Sequence, residues 1–163
     1  MGNDLTRAEA LKIIRFKVPH GFSFRHTVGS HGWYDLAPFK YDATDRCLSY
    51  TLVHQGKEQP STITMCDKNG KLVVAAQGTV SRKEAHSVAS HIFRLNESFD
   101  EFYELTERFP ELRWAKTSGA GRLLRSSTVF EDLVKSMCTT NCTWALTRKM
   151  VENLVVHLGE PSA

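Results

Sequence analysis

Four cysteines, seven histidines and eighteen carboxylates are the side chains of this sequence that could ligate a metal, act as a nucleophile or move a proton. Cys47, Cys66, Cys138 and Cys142 stand 19, 72 and 4 residues apart, without the CxxC pair of a zinc ribbon. Cys138 and Cys142 could share one helical face as ligands, but no second pair or spaced histidine completes a site. All four are expected to be small buried hydrophobes in a reducing cytoplasm. His20, His26 and His31 cluster in sequence at no ligand spacing and are expected at the surface or in the core. No cofactor and no metal is implied. Asn141, in the polar segment Thr139-Thr140-Asn141-Cys142, is of a type that caps a following helix.

Charge is more informative in its distribution than in its total of +3. Residues 94–111 are acidic, with Glu97, Asp100, Glu101, Glu104, Glu107 and Glu111 against Arg94 and Arg108. Residues 113–150 carry Arg113, Lys116, Arg122, Arg125, Lys135, Arg148 and Lys149 against Glu131 and Asp132. Gathered on one face, that basic excess would attract a polyanion; dispersed, it is a solvated surface with local bias. At 163 residues, 41% hydrophobic and 24% charged, the chain can bury a core without a metal or disulfide staple. No apolar run approaches 18 residues and the start does not read as a signal peptide, so no membrane partner and a cytoplasmic location are expected.

The elements that must position these residues fall into two parts. Ile14, Phe16 and Val18 alternate with Arg15 and Lys17 as in a half-buried strand, stopped by Pro19. Residues 21–27 read as extended. Three further strands are predicted over residues 46–54, 61–66 and 71–76, the first two joined through Gln55-Gly56-Lys57 and the last two by an Asn69-Gly70 hairpin. Ser81 and Glu84 then form a capping box, and Ala85, Val88, Ala89, Ile92 and Phe93 share one helical face suited to covering the sheet. A second box, Ser98 to Glu101, predicts a helix bearing Phe99, Phe102 and Tyr103 and ending near Pro110. A third, Thr128 to Glu131, opens a helix with Phe130, Leu133, Val134, Met137 and Cys138 on one stripe. The next run aligns Trp144, Thr147, Val151, Leu154, Val155 and Leu158 before Gly159 and Pro161. Both stripes are expected to be core. A helical hairpin ending there leaves one apolar face that the sheet, or a partner not in this chain, must cover.

Several segments resemble the helix–hairpin–helix DNA glycosylases, in the branch of the 8-oxoguanine and 3-methyladenine II enzymes. They are Gly121-Arg122-Leu123-Leu124-Arg125, Phe130-Glu131-Asp132-Leu133, Cys138-Thr139-Thr140-Asn141 and Met150-Val151. Pro19-His20-Gly21-Phe22-Ser23-Phe24-Arg25 is similar to the P-x-G-x-S-F-R segment of the 8-oxoguanine enzyme. The resemblance implies an α+β fold. Residues 1–95 would form an antiparallel sheet with a covering helix, and residues 96–163 the first helices of an all-α glycosylase domain. It also implies base excision repair of damaged duplex DNA, with Asn141 filling the space left by an extruded base. Thr140 would lie beside it, and Arg122, Arg125 and Arg148 would be DNA-side arginines; helix packing or pairing with Glu131 is the other role open to Arg122 and Arg125. Gly21 matches a glycine whose carbonyl reads the oxidised base, or simply eases a bend after Pro19. Phe22 and His26 depart from the Gln and Trp of that enzyme, so the resemblance does not carry the identity of the lesion.

The family's L-P-G-[VI]-G hairpin, its activating Asp and the lyase Lys have no counterpart in these 163 residues, and Ser118-Gly119-Ala120-Gly121 lacks the proline. Cleaving a glycosidic bond needs an anion near the developing oxocarbenium ion. The chain is therefore expected to resemble the N-terminal portion of a glycosylase, inactive alone, with catalytic residues on a second chain or a missing C-terminal half. The rival expectations are a non-catalytic interaction domain that binds a partner protein through an apolar helical face, and an enzyme with displaced catalytic groups.

Overall fold

In a computed structural model, described over residues 12–52 and 60–159, five strands form one antiparallel sheet. They are β1 (Lys12–Arg15), β2 (Phe39–Asp42), β3 (Cys47–Leu52), β4 (Ser61–Lys68) and β5 (Lys71–Gln77), in the order β1-β5-β4-β3-β2. β2 to β5 make a meander, and β1 adds to its β5 edge with Ile14 opposite Val74. Period-2 alternation sets the inner face: Leu48, Tyr50, Leu52, Ile63, Met65, Leu72, Val74 and Ala76 are all buried. Asn69 and Gly70 both have positive φ, as the tight hairpin between β4 and β5 requires. The predicted connection at Gln55-Gly56-Lys57 lies outside the described residues, as does Pro161.

Helix α2 (Arg82–Ile92) covers the sheet as its spacing predicts. Ser81 and Glu84 complete the reciprocal capping box, and Ala85, Ala89, Ile92 and the adjacent Phe93 are fully buried. Helices α3 (Asp100–Glu107) and α4 (Trp114–Ser118) follow, then α5 (Val129–Thr139) and α6 (Trp144–Leu158). The result is α+β, as expected.

Five readings need correction. Residues 21–27 are not extended throughout, because Ser23 caps a short helix, α1 (Phe24–Val28), whose Phe24, Thr27 and Val28 face the core. Strand β2 was not foreseen. The Ser98–Glu101 box does not form: Ser98 Oγ accepts from Asp100 N and donates to Asp100 Oδ2, and α3 starts without a side-chain cap. Cys47 and Cys66 are not free thiols; the β3–β4 register sets them opposite one another and a disulfide joins them. Finally, the apolar stripe of α5 meets the core only at its end, where Cys138 packs against it. Phe130, Leu133 and Met137 are 76, 57 and 65% exposed, and Leu158 on α6 is 80% exposed.

Candidate nucleic-acid interface

Three threonines set the ends of α5 and the start of α6. Thr128 Oγ1 accepts from Glu131 N at 3.2 Å and starts α5. At its end, Thr140 Oγ1 donates to the Met137 carbonyl at 2.7 Å. Thr143 Oγ1 accepts from Leu146 N at 3.3 Å and caps α6. The capping role that Asn141 could have filled therefore belongs to Thr143. Asn141 sits two residues earlier at φ 54°, a left-handed turn that Asn tolerates better than most residues. It is exposed, and its amide makes no hydrogen bond within the described fold. Buried Thr147 ties the two helices together by donating to the Cys138 carbonyl at 2.9 Å.

Two anchors fix α5 and α6 against the N-terminal part of the fold. Asp35 Oδ2 accepts from Trp144 Nε1 at 2.9 Å and pairs with Arg148 Nε at 3.2 Å, one turn apart on α6. The Trp144 ring would lie 2.9 Å from a Cβ at residue 32, where φ is 90°, so Gly32 is required there. The other anchor is polar and buried. Lys135, 1% exposed, donates to Glu131 Oε1 at 2.6 Å and Ser126 Oγ at 3.2 Å, with its ammonium 4.7 Å from the Phe39 ring centre. Tyr50 of β3 donates its hydroxyl to Glu131 and is 2.7 Å from Ser127 Oγ. Asp132 Oδ1 accepts from Trp33 Nε1 at 2.7 Å and from Ser126 N at 2.9 Å. Burial pushes the Lys135 ammonium down from the usual lysine range, opposed by the Glu131 charge. Burial and the same carboxylate push the Tyr50 phenol up. None of these anchors was legible as a site.

The remaining residues separate. Arg122 is 1% exposed. Its Nη1 donates to the Arg94 carbonyl, its Nη2 to the Glu97 carbonyl at 2.9 Å, and its guanidinium stacks 4.1 Å from the Phe99 ring centre. Its Nε is buried without a partner, and at 1% exposure the guanidinium is closed to a phosphate, which corrects its placement among the DNA-side arginines: Arg122 holds the 94–99 turn. Arg125 is partly exposed and pairs with Glu97 at 2.9 Å, not with Glu131. Arg94 shares that carboxylate. Gly21 has φ 68°, and its carbonyl accepts from the Tyr103 hydroxyl at 3.1 Å. A Cβ there would approach the Tyr103 ring to 2.6 Å, so the fold itself demands glycine. Asn141 and Thr140 thus share the α5–α6 corner and Arg148 lies in the second turn of α6, whereas Gly21 packs against α3 and Arg125 beside the α2–α3 turn. Among the described residues no three His, Cys, Asp or Glu gather as metal ligands, and no helix is long and apolar enough to cross a membrane.

This sheet, covering helix and following helices are the fold of a portion of DNA glycosylases. A 3-methyladenine DNA glycosylase from Archaeoglobus fulgidus superposes with a TM-score of 0.67 at 15% identity, over 88% of this chain and 50% of its own. MBOgg1 in complex with a low affinity DNA ligand gives 0.64 at 18% identity, over 94% and 50%. The 8-oxoguanine glycosylase/lyase of Clostridium acetobutylicum, in complex with duplex DNA containing cytosine opposite 8-oxoguanine, gives 0.59 at 16%, over 90% and 48%. The chain spans about half the length of each. No family model and no curated protein matches it.

Proposed function

We propose that this chain is the base-displacing portion of a DNA-repair glycosylase, corresponding to the N-terminal half of its structural neighbours. Residues 1–95 serve as scaffold, and residues 96–163 present the DNA-facing corner. The observation that carries this reading is Asn141: exposed, held in a left-handed turn between two anchored helices, and released from capping by Thr143. Extruding a nucleotide costs a few kcal/mol of stacking and pairing. An amide that both donates and accepts can occupy the gap and meet the base edges left behind. Thr140 shapes the same turn. Arg148, whose side chain is 56% exposed and pairs with Asp35, would meet a phosphate nearby. Arg125 is a weaker phosphate contact because Glu97 already holds it. The Gly21 carbonyl, oriented by Tyr103 and packed against Gly119, would be the group that reads an extruded base. The anion and nucleophile that break the glycosidic bond come from outside these 163 residues, so the chain alone binds and displaces without releasing the base.

Fluorescence anisotropy on a labelled duplex with one central 8-oxoguanine tests this. Affinity should fall steeply with salt as counterions are released, and Asn141→Ala should weaken it by about 5- to 100-fold, the span of one good base contact. An affinity no different from that for an uncharged polymer, or untouched by Asn141→Ala, would overturn the reading. Base release by the chain alone, lost on changing one of its acids, would overturn the assignment of chemistry to another segment.

A further inference from the structure

One end of the sheet's outer face carries a row of lysines. Residues alternate between the two faces along a strand, so where Ile14, Met65 and Leu72 are buried, Arg15, Lys68 and Lys71 point the other way and are exposed. Lys68 stands directly opposite Lys71 across the Asn69-Gly70 turn. Arg15 is opposite Val73, and Phe16 N donates to the Leu72 carbonyl at 3.0 Å, so the β1–β5 register runs on and sets exposed Lys17 beside Lys71. Like charges set opposite one another on a sheet repel. The adjoining carboxylate does not relieve them: Asp67 holds Arg46 at 3.3 Å and accepts from Gly70 N at 2.8 Å. Asp42 and Asp45 lie further off, on the β2–β3 turn, where Asp42 accepts from the amides of Thr44 and Asp45. Among the described residues Arg15, Lys17, Lys68 and Lys71 have no ion-pair partner.

The row and the α5–α6 corner lie on opposite sides of the sheet. Helix α5 is held from the inner face, through the Tyr50 hydroxyl on Glu131 and the Phe39 ring beside Lys135, whereas Lys17, Lys68 and Lys71 belong to the outer one. The sheet thus stands between the row and a duplex seated at Asn141. We infer that the lysine row binds the phosphate backbone of a second duplex segment while the corner holds the first. Ammonium groups on flexible stems meet phosphates as point charges and read no sequence. Duplex DNA, with one charge per about 1.7 Å of its axis, is the polyanion that gains most from such a row, because each neutralised phosphate releases counterions. A protein with two such faces passes from one duplex to another without an unbound interval. The inference rests on the proposed function for its first duplex, but it does not require Asn141 to displace a base.

A dissociation chase on the full chain tests the row. A fluorescent duplex is bound, and its release is followed by anisotropy as unlabelled duplex is added at rising concentration. With two faces, release should speed up at least severalfold across the chase series, because the incoming duplex engages protein that is still bound. In the variant Lys17→Gln/Lys68→Gln/Lys71→Gln the rate should no longer depend on the chase, while Lys17→Arg/Lys68→Arg/Lys71→Arg should keep the dependence. The glutamine variant should melt no lower than the unaltered chain, since it loses repulsion and no ion pair. A release rate independent of the chase in the unaltered chain, or a dependence that survives in the glutamine variant, would overturn the inference. So would equal acceleration by polyglutamate, which would assign the row to an acidic protein. The Asn141→Ala affinity measurement reads the proposed function separately, so either reading can fail without the other.

Discussion

On the sheet, Leu48, Ile63, Met65 and Val74 point into a core where each is fully buried; on α5, Phe130, Leu133 and Met137 point into solvent while Lys135 is buried. Both regions use apolar residues at correct periods, but they use them for different purposes. In the sheet the apolar face holds the fold together. In the α5–α6 hairpin hydrogen bonds and ion pairs share that work with Val151 and Cys138, leaving Phe130, Leu133 and Met137 free. A helix can therefore be anchored by its polar side when the partner surface offers Tyr50, Trp33 and a serine pair to receive it. Buried networks of this kind stabilise only when every member is satisfied.

The contrast can be broken most forcefully by truncation. Ile63→Ala should cost about 2–5 kcal/mol through lost burial and the cavity left behind, whereas Leu133→Ala should stay within about 0.5 kcal/mol in the isolated chain. Urea unfolding of the two variants compares them directly; equal losses would mean that the α5 stripe is covered after all. Next in size is Lys135→Met, which leaves the Glu131 carboxylate half-buried without its cation and should cost about 3 kcal/mol. Adding Glu131→Gln should recover part of that loss. If Lys135→Met is instead neutral in thermal melts, α5 is not held by its polar side.

The smallest effect concerns acid. A hydrogen bond from Arg94 holds the Glu97 carboxyl below its ordinary value of 4.5, with burial opposing. The unfolded chain then binds the proton more readily than the folded one. The resulting stability is fully present above pH 4.5 and is lost as pH falls through the lower folded value. Glu97→Gln should flatten that part of the acid-melting profile. The effect is modest because the side chain is 36% exposed and screened by water.

Legibility followed how local each cause was. Helix α2 could be read because its cap and apolar spacing lie within a dozen residues and agree with each other. Strand β2 could not, since four residues after a proline carry too short a pattern. The Cys47–Cys66 pairing depends on strand register, which a spacing of 19 does not reveal. For α5 the stripe was legible but its direction was not, because direction is set by Tyr50 and Trp33, far away in sequence. Arg122 looked like any basic residue near the DNA side until the carbonyls of Arg94 and Glu97 closed around it. Asn141 turned on a two-residue offset: a cap at Thr143 frees the amide, and a cap at 141 would have used it.

Base displacement is most directly read by a duplex carrying 2-aminopurine at the target position, whose fluorescence rises when it leaves the stack. The full chain should raise that signal in proportion to duplex bound, and Asn141→Ala, at concentrations that restore equal occupancy, should leave it near the level of free duplex. An equal rise with Asn141→Ala, or saturated binding by the unaltered chain with no rise, would contradict the account.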